Sequence, residues 1–77
     1  MSADKEFSVY WWDASGGQHE ELRYDLPQVA MRAVQRLTRG PASVLGIVSR
    51  VIITDGGDCC VFEWTKKDGI TWPKKES

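Results

Sequence analysis

Residues 25–40, DLPQVAMRAVQRLTRG, form an amphipathic segment with a helix start at one end and a stop at the other. Asp25 is predicted to cap the free N–H groups of the first turn. Pro27 loses nothing there, because its missing N–H has no helical partner to find. Gly40 is predicted to close the helix in the left-handed conformation, and Pro41 prevents continuation. At about 100° per residue, Leu26, Val29, Ala30, Ala33, Val34 and Leu37 share one arc, and Gln28, Arg32, Gln35, Arg36 and Arg39 share the opposite one. One face packs and the other is basic and wet.

Strand patterns flank the helix. Upstream, Glu6 to Asp13 alternates Phe7, Val9 and Trp11, predicted to face the core, with Ser8, Tyr10 and Trp12, predicted to face out. Ala14 to Gly17 turns the chain. Gln18 to Tyr24 returns as an edge strand, with Glu20, Leu22 and Tyr24 on one side and His19, Glu21 and Arg23 on the other. Downstream, Gly40 to Gly46 is a connection whose middle, Ala42 to Leu45, suits one helical turn. Ile47 to Thr54 is the most β-branched run of the chain and is predicted to be a central strand. In it Ile47, Ser49, Val51 and Ile53 oppose Val48, Arg50, Ile52 and Thr54. Asp55-Gly56-Gly57-Asp58 tolerates the positive φ that a tight reversal needs. It leads into Cys59 to Thr65, where Cys60, Phe62 and Trp64 alternate with Cys59, Val61 and Glu63. A second turn, Lys66 to Gly69, precedes a short last strand, Ile70 to Trp72, which Pro73 ends.

The resulting order, ββαβββ, predicts an α+β fold in one small domain spanning residues 1–77. A right-handed crossover carries the chain over strand one, giving an antiparallel sheet of order 2-1-3-4-5 with one helix on one face. The segments before Glu6 and after Pro73 are short and polar and are expected to fray. So small a core supplies about 3–5 kcal/mol of stability.

Charge is nearly balanced overall but unevenly spread. Residues 1–24 carry five acids and two bases, residues 25–50 one acid and four bases, and residues 51–77 five acids and four bases. A bipolar field of this kind suits contacts between proteins better than a dedicated nucleic-acid binder, which is basic overall. No apolar run approaches the ~20 residues of a membrane span, and the N-terminus lacks a signal peptide's apolar stretch. A cytoplasmic location without membrane partners is the expectation.

One helix covers one sheet face, so the other is expected to show Tyr10, Trp12, Val48, Ile52 and Val61, framed by His19, Arg23, Arg50 and Glu63. Aromatics and Arg within a polar frame are what interface centres look like. The competing reading is that these side chains pack on one another, or lie under the Gly40–Gly46 loop or the C-terminal tail. Arg32, Arg36 and Arg39 form a stripe suited to phosphates or an acidic partner, though a solvated helix face needs the same residues. Cys59 and Cys60 are adjacent, which excludes the spacing of redox and zinc motifs; one thiol is expected buried and one on the outer face. His19 beside Glu20 and Glu21 lacks a converging ligand set, and the acids of residues 55–58 lack the alternating ligands of a calcium loop. No catalytic, phosphate-loop, metal or cofactor pattern is present. The expected function is a small non-enzymatic interaction module that uses the outer sheet face for homodimerisation or docking of another protein. A nucleic-acid accessory role through the helix arginines and sheet aromatics stands second. An enzyme, which would need a pocket of which the sequence gives no sign, stands third.

Overall fold

A computed structural model describes residues 5–73 of the chain; the expected frayed ends lie, apart from Lys5, outside the described residues. The elements are β1 (Phe7–Asp13), β2 (Gln18–Asp25), α1 (Pro27–Arg39), the one-turn α2 (Pro41–Val44), β3 (Val48–Thr54), β4 (Cys60–Thr65) and β5 (Gly69–Trp72). The strands form one sheet of order β2-β1-β3-β4-β5, antiparallel at every pairing. α1 lies across β2, β1 and β3 on one face. The expected α+β architecture and strand order are therefore those of the protein.

Both helix ends differ from expectation. Asp25 is still in β2, paired with Phe7, and its Oδ1 accepts the Leu26 N–H at 2.7 Å. Pairing with Phe7 holds Asp25 in the strand one residue ahead of the cap position, so Leu26, in extended backbone, precedes the helix with no side-chain cap. Gly40 is not left-handed but extended, with φ −81° and ψ −179°, and its N–H donates to the Arg36 carbonyl at 2.9 Å. A Cβ at Gly40 would collide with that same carbonyl oxygen. Glycine is needed here for close backbone approach rather than for positive φ. Pro41 then starts α2, within the connection where one helical turn was predicted.

The core is wholly aliphatic. Val9, Val48 and Val51 are inaccessible, and Ala30, Ala33, Val34, Leu37 and Ile53 are nearly so. Phe7, Trp11, Leu22, Phe62 and Trp64 pack around this cluster half-buried. The bulky aromatics thus sit at the margins and on the surface, where they can meet other molecules.

Register shifts decide which face each side chain takes. Trp12 pairs with Arg50 but Asp13 pairs with Val48, so Ser49 is an extra residue in β3. Its hydroxyl donates to the Trp12 and Asp13 carbonyls, at 3.1 and 2.9 Å, and so ties the bulge to β1. An extra residue reverses the in–out alternation beyond it. Val48, expected on the outer face, therefore joins Val51 and Ile53 in the core, while Ile47 is 45% exposed. Val61 is likewise extra, between Phe62 paired with Ile53 and Cys60 paired with Thr54. It turns to the helix side, beside Met31 and Phe62, instead of the outer face. Both cysteines are exposed, where one was expected buried. β2 carries two further shifts against β1. At one of them Tyr24 adopts φ 51° and donates its N–H to Ser8 Oγ at 3.1 Å, the partner that lets Ser8 be buried.

Candidate interaction surface

Residues directly opposite on neighbouring strands share a face. Opposite α1 this gives two cross-strand rows, Gln18–Trp12–Arg50–Thr65 and Glu20–Tyr10–Ile52–Glu63–Trp72. Tyr10, Trp12 and Ile52 are half-buried by their neighbours, and Trp72 is 49% exposed. The expected residues Tyr10, Trp12, Arg50 and Ile52 thus come together, while Val48 and Val61 do not. Trp72 joins them. Simple alternation would have put it with Ile70, but Thr71 is extra in β5, so Ile70 pairs with Trp64 on the helix side and Trp72 with Glu63 on the outer side.

The centre of the face is held in place. Arg50 Nε donates to Glu63 Oε2 at 2.6 Å, and its guanidinium carbon lies 4.5 Å from the centroid of the Trp12 ring. Hydrogen bonding by Thr71 and by Arg50 holds the Glu63 carboxyl below the usual carboxylate range. A guanidinium with a carboxylate on one side and an indole beneath it has lost much of its rotamer freedom. Arg23 remains at the rim, highly exposed, 3.9 Å from Glu20 and 5.9 Å from the Tyr24 ring. Arg23 and Arg50 stand against Glu20 and Glu63, so among the described residues these rows and their rim carry both signs in equal number.

His19 leaves the frame. Paired with Trp11, it stacks on that indole on the helix side, with ring centroids 4.2 Å apart and 19° between planes. Its Nε2 is 2.8 Å from Asp13 Oδ2, and Asp13 Oδ1 accepts the N–H groups of Ser15 and Gly17. The hydrogen bond with His19, followed by that from Gly17, holds the Asp13 carboxyl below its ordinary value. Because the folded-state pKa is depressed, the stabilisation is present above the unfolded value of about 3.9 and is lost as pH falls through the folded one. Urea melts across the acid range are expected to converge for the parent and Asp13→Asn as pH drops; parallel curves would contradict this assignment.

The arginine stripe is divided. Arg36 is hydrogen-bonded to Glu21 of β2, Arg39 lines a groove on the opposite flank of α1, and Arg32 is exposed. That groove, absent from the sequence-based expectation, runs between α1 and the helix side of β4 and β5. It holds about 200 Å³ at the Phe7–Pro27 end and about 330 Å³ at the Arg39–Ile70 end, with Met31 and Phe62 shared. It exists because α1 leaves the last two strands uncovered. Among the described residues no three His, Cys, Asp or Glu side chains are grouped to hold a metal ion, and no helix is long and apolar enough to cross a membrane. Comparison of the chain with protein-family models, with curated proteins and with solved structures gives no match.

Proposed function

We propose that this protein is a small interaction module, not a catalyst, whose working surface is the outer sheet face and whose first partner is a second copy of the chain. The observation that carries this reading is the two-row surface of Tyr10, Trp12, Ile52 and Trp72 around a pinned Arg50, on the face that α1 leaves open. Equal numbers of acids and bases among the described residues around those aromatics suit a two-fold contact, in which each patch must complement itself. Strands about 4.8 Å apart and about six residues long give a projected face of roughly 450 Å². A pair then buries on the order of 1,000 Å² in total, at the low end for specific interfaces. The dimer is therefore weak and depends on concentration. A nucleic-acid role receives less support, because Arg36 and Arg50, two of the bases it would use, are engaged with Glu21 and Glu63.

Light scattering tests this. The parent's mass is expected to rise with concentration, while a folded Tyr10→Ser, Trp12→Ser variant loses the outer-face contact and associates more weakly than the parent at every concentration. A parent that is monomeric throughout, or a variant that dimerises as the parent does, would refute the reading.

A further inference from the structure

The antiparallel register gives the molecule two chemically opposite ends. At one lie the three connections 14–17, 40–47 and 66–68; at the other lie the start of β1, the start of α1 and the β3–β4 turn. The first end carries an aliphatic tip. Val44 is 75% exposed and Leu45 74%, with Ile47 beside them. This tip is built, not loose. Val44, Leu45, Gly46 and Ile47 donate backbone N–H groups to the carbonyls of Gly40, Pro41, Ser43 and Ala42, and Ser43 is buried beneath. Exposed aliphatic side chains on so well-bonded a loop are not required by the fold. Arg39, Lys66 and Lys67 are the bases at this end, with Asp68 and the His19-bonded Asp13 as its acids.

The second end carries a matching hole. The Phe7–Pro27 end of the groove is an apolar pocket of about 200 Å³, with Met31 and Phe62 in its wall. That volume is in the range of cavities that admit a small apolar group. Among the described residues, the charges at this end are Glu6, Asp25, Asp55 and Asp58, with Lys5 the base. Among the described residues, an aliphatic knob thus stands at an end with one base in excess, and an apolar hole at an end with three acids in excess.

We propose that the chain associates head to tail with further copies of itself, the Val44–Leu45 tip of one molecule seating in the pocket beside Met31 of the next. The contact is heterologous: it uses two different surfaces and leaves a free tip and a free pocket on every assembly that does not close into a ring. It is independent of the outer sheet face. Paired charges at the rim steer the encounter and weaken it as salt rises, and the seated leucine carries most of the affinity.

Complementary variants test this on a Tyr10→Ser, Trp12→Ser background, which removes the outer-face contact so that the two readings fail separately. Leu45→Asp spoils the knob and Met31→Glu the hole; both positions are exposed, and circular dichroism checks that each variant folds. In sedimentation velocity the background protein is expected to form species that grow with concentration, and each single variant to weaken self-association at least about thirty-fold. Mixed, the two variants retain one good knob and one good hole and are expected to form a 1:1 pair and nothing larger. Leu45→Ser is expected to act as Leu45→Asp does. A background protein that is monomeric at all concentrations, or a mixture that forms no pair, overturns the proposal. So does binding of that monomer to anionic phospholipid vesicles that Leu45→Asp abolishes, which would assign the tip to a lipid surface.

Discussion

Ile53→Ala is expected to leave the chain largely unfolded in water at 25 °C. Ile53 is 4% exposed at the centre of the sheet, paired with Val9 on one side and Phe62 on the other, under α1. Truncating a buried isoleucine costs about 2–5 kcal/mol, because the lost apolar burial adds to a cavity that the surroundings fill incompletely. A single small core offers only about 3–5 kcal/mol in total. The two magnitudes are comparable because the buried cluster holds only valines, alanines, one leucine and one isoleucine, with the aromatic rings half-buried around it. Circular dichroism with urea titration measures it, and Ile70→Ala is the control: at 56% exposure that change is expected to fall within about 0.5 kcal/mol. A cooperative Ile53→Ala melt close to the parent's would mean that the stabilising core lies elsewhere.

The second large effect is a contrast between two positions four residues apart on β3. Val48→Lys is expected to abolish folding, whereas Ile52→Lys is expected to fold and to lose the outer-face contact. Val48 is inaccessible, so an ammonium there is desolvated with no partner, a cost of several kcal/mol or a forced deprotonation. Ile52 lies between Tyr10 and Glu63 in the outer row that ends in Glu20, where a lysine finds water and carboxylates. Strict alternation puts these two residues on one face and so predicts the same outcome for both. The Ser49 bulge separates them. Thermal melts and light scattering on the two variants decide it, and two equally stable variants would mean that the bulge is absent.

The same two residues show what could be read from the chain and what could not. Amphipathic periodicity located α1, turn chemistry located both hairpins of the second half, and connection rules then left 2-1-3-4-5 as the strand order, which is the order found. The outer face was legible wherever alternation ran unbroken, as at Tyr10, Trp12, Arg50 and Ile52. It failed wherever an extra residue intervened. A bulge at Ser49, Val61 or Thr71 has no side-chain pattern of its own, since its warrant is a long-range partner such as the Trp12 and Asp13 carbonyls that the Ser49 hydroxyl bonds. Val48, Val61, Trp72 and His19 were misplaced or missed for that reason. Asp25 failed through competition, its strand pairing with Phe7 outweighing its preference for a cap. The groove beside Met31 needed the footprint of α1 on the sheet, which periodicity does not supply.

Amide and indole NMR spectra recorded over a dilution series test the outer face most directly, since they report which residues feel association. The expected result is that Tyr10, Trp12, Arg50, Ile52, Glu63 and Trp72 shift together with concentration, with one common dissociation constant. Shifts at the Val44–Leu45 tip and at Met31, if they follow a different constant, belong to the head-to-tail contact. Outer-face resonances that stay fixed across the whole range would contradict the assignment of that face to self-association.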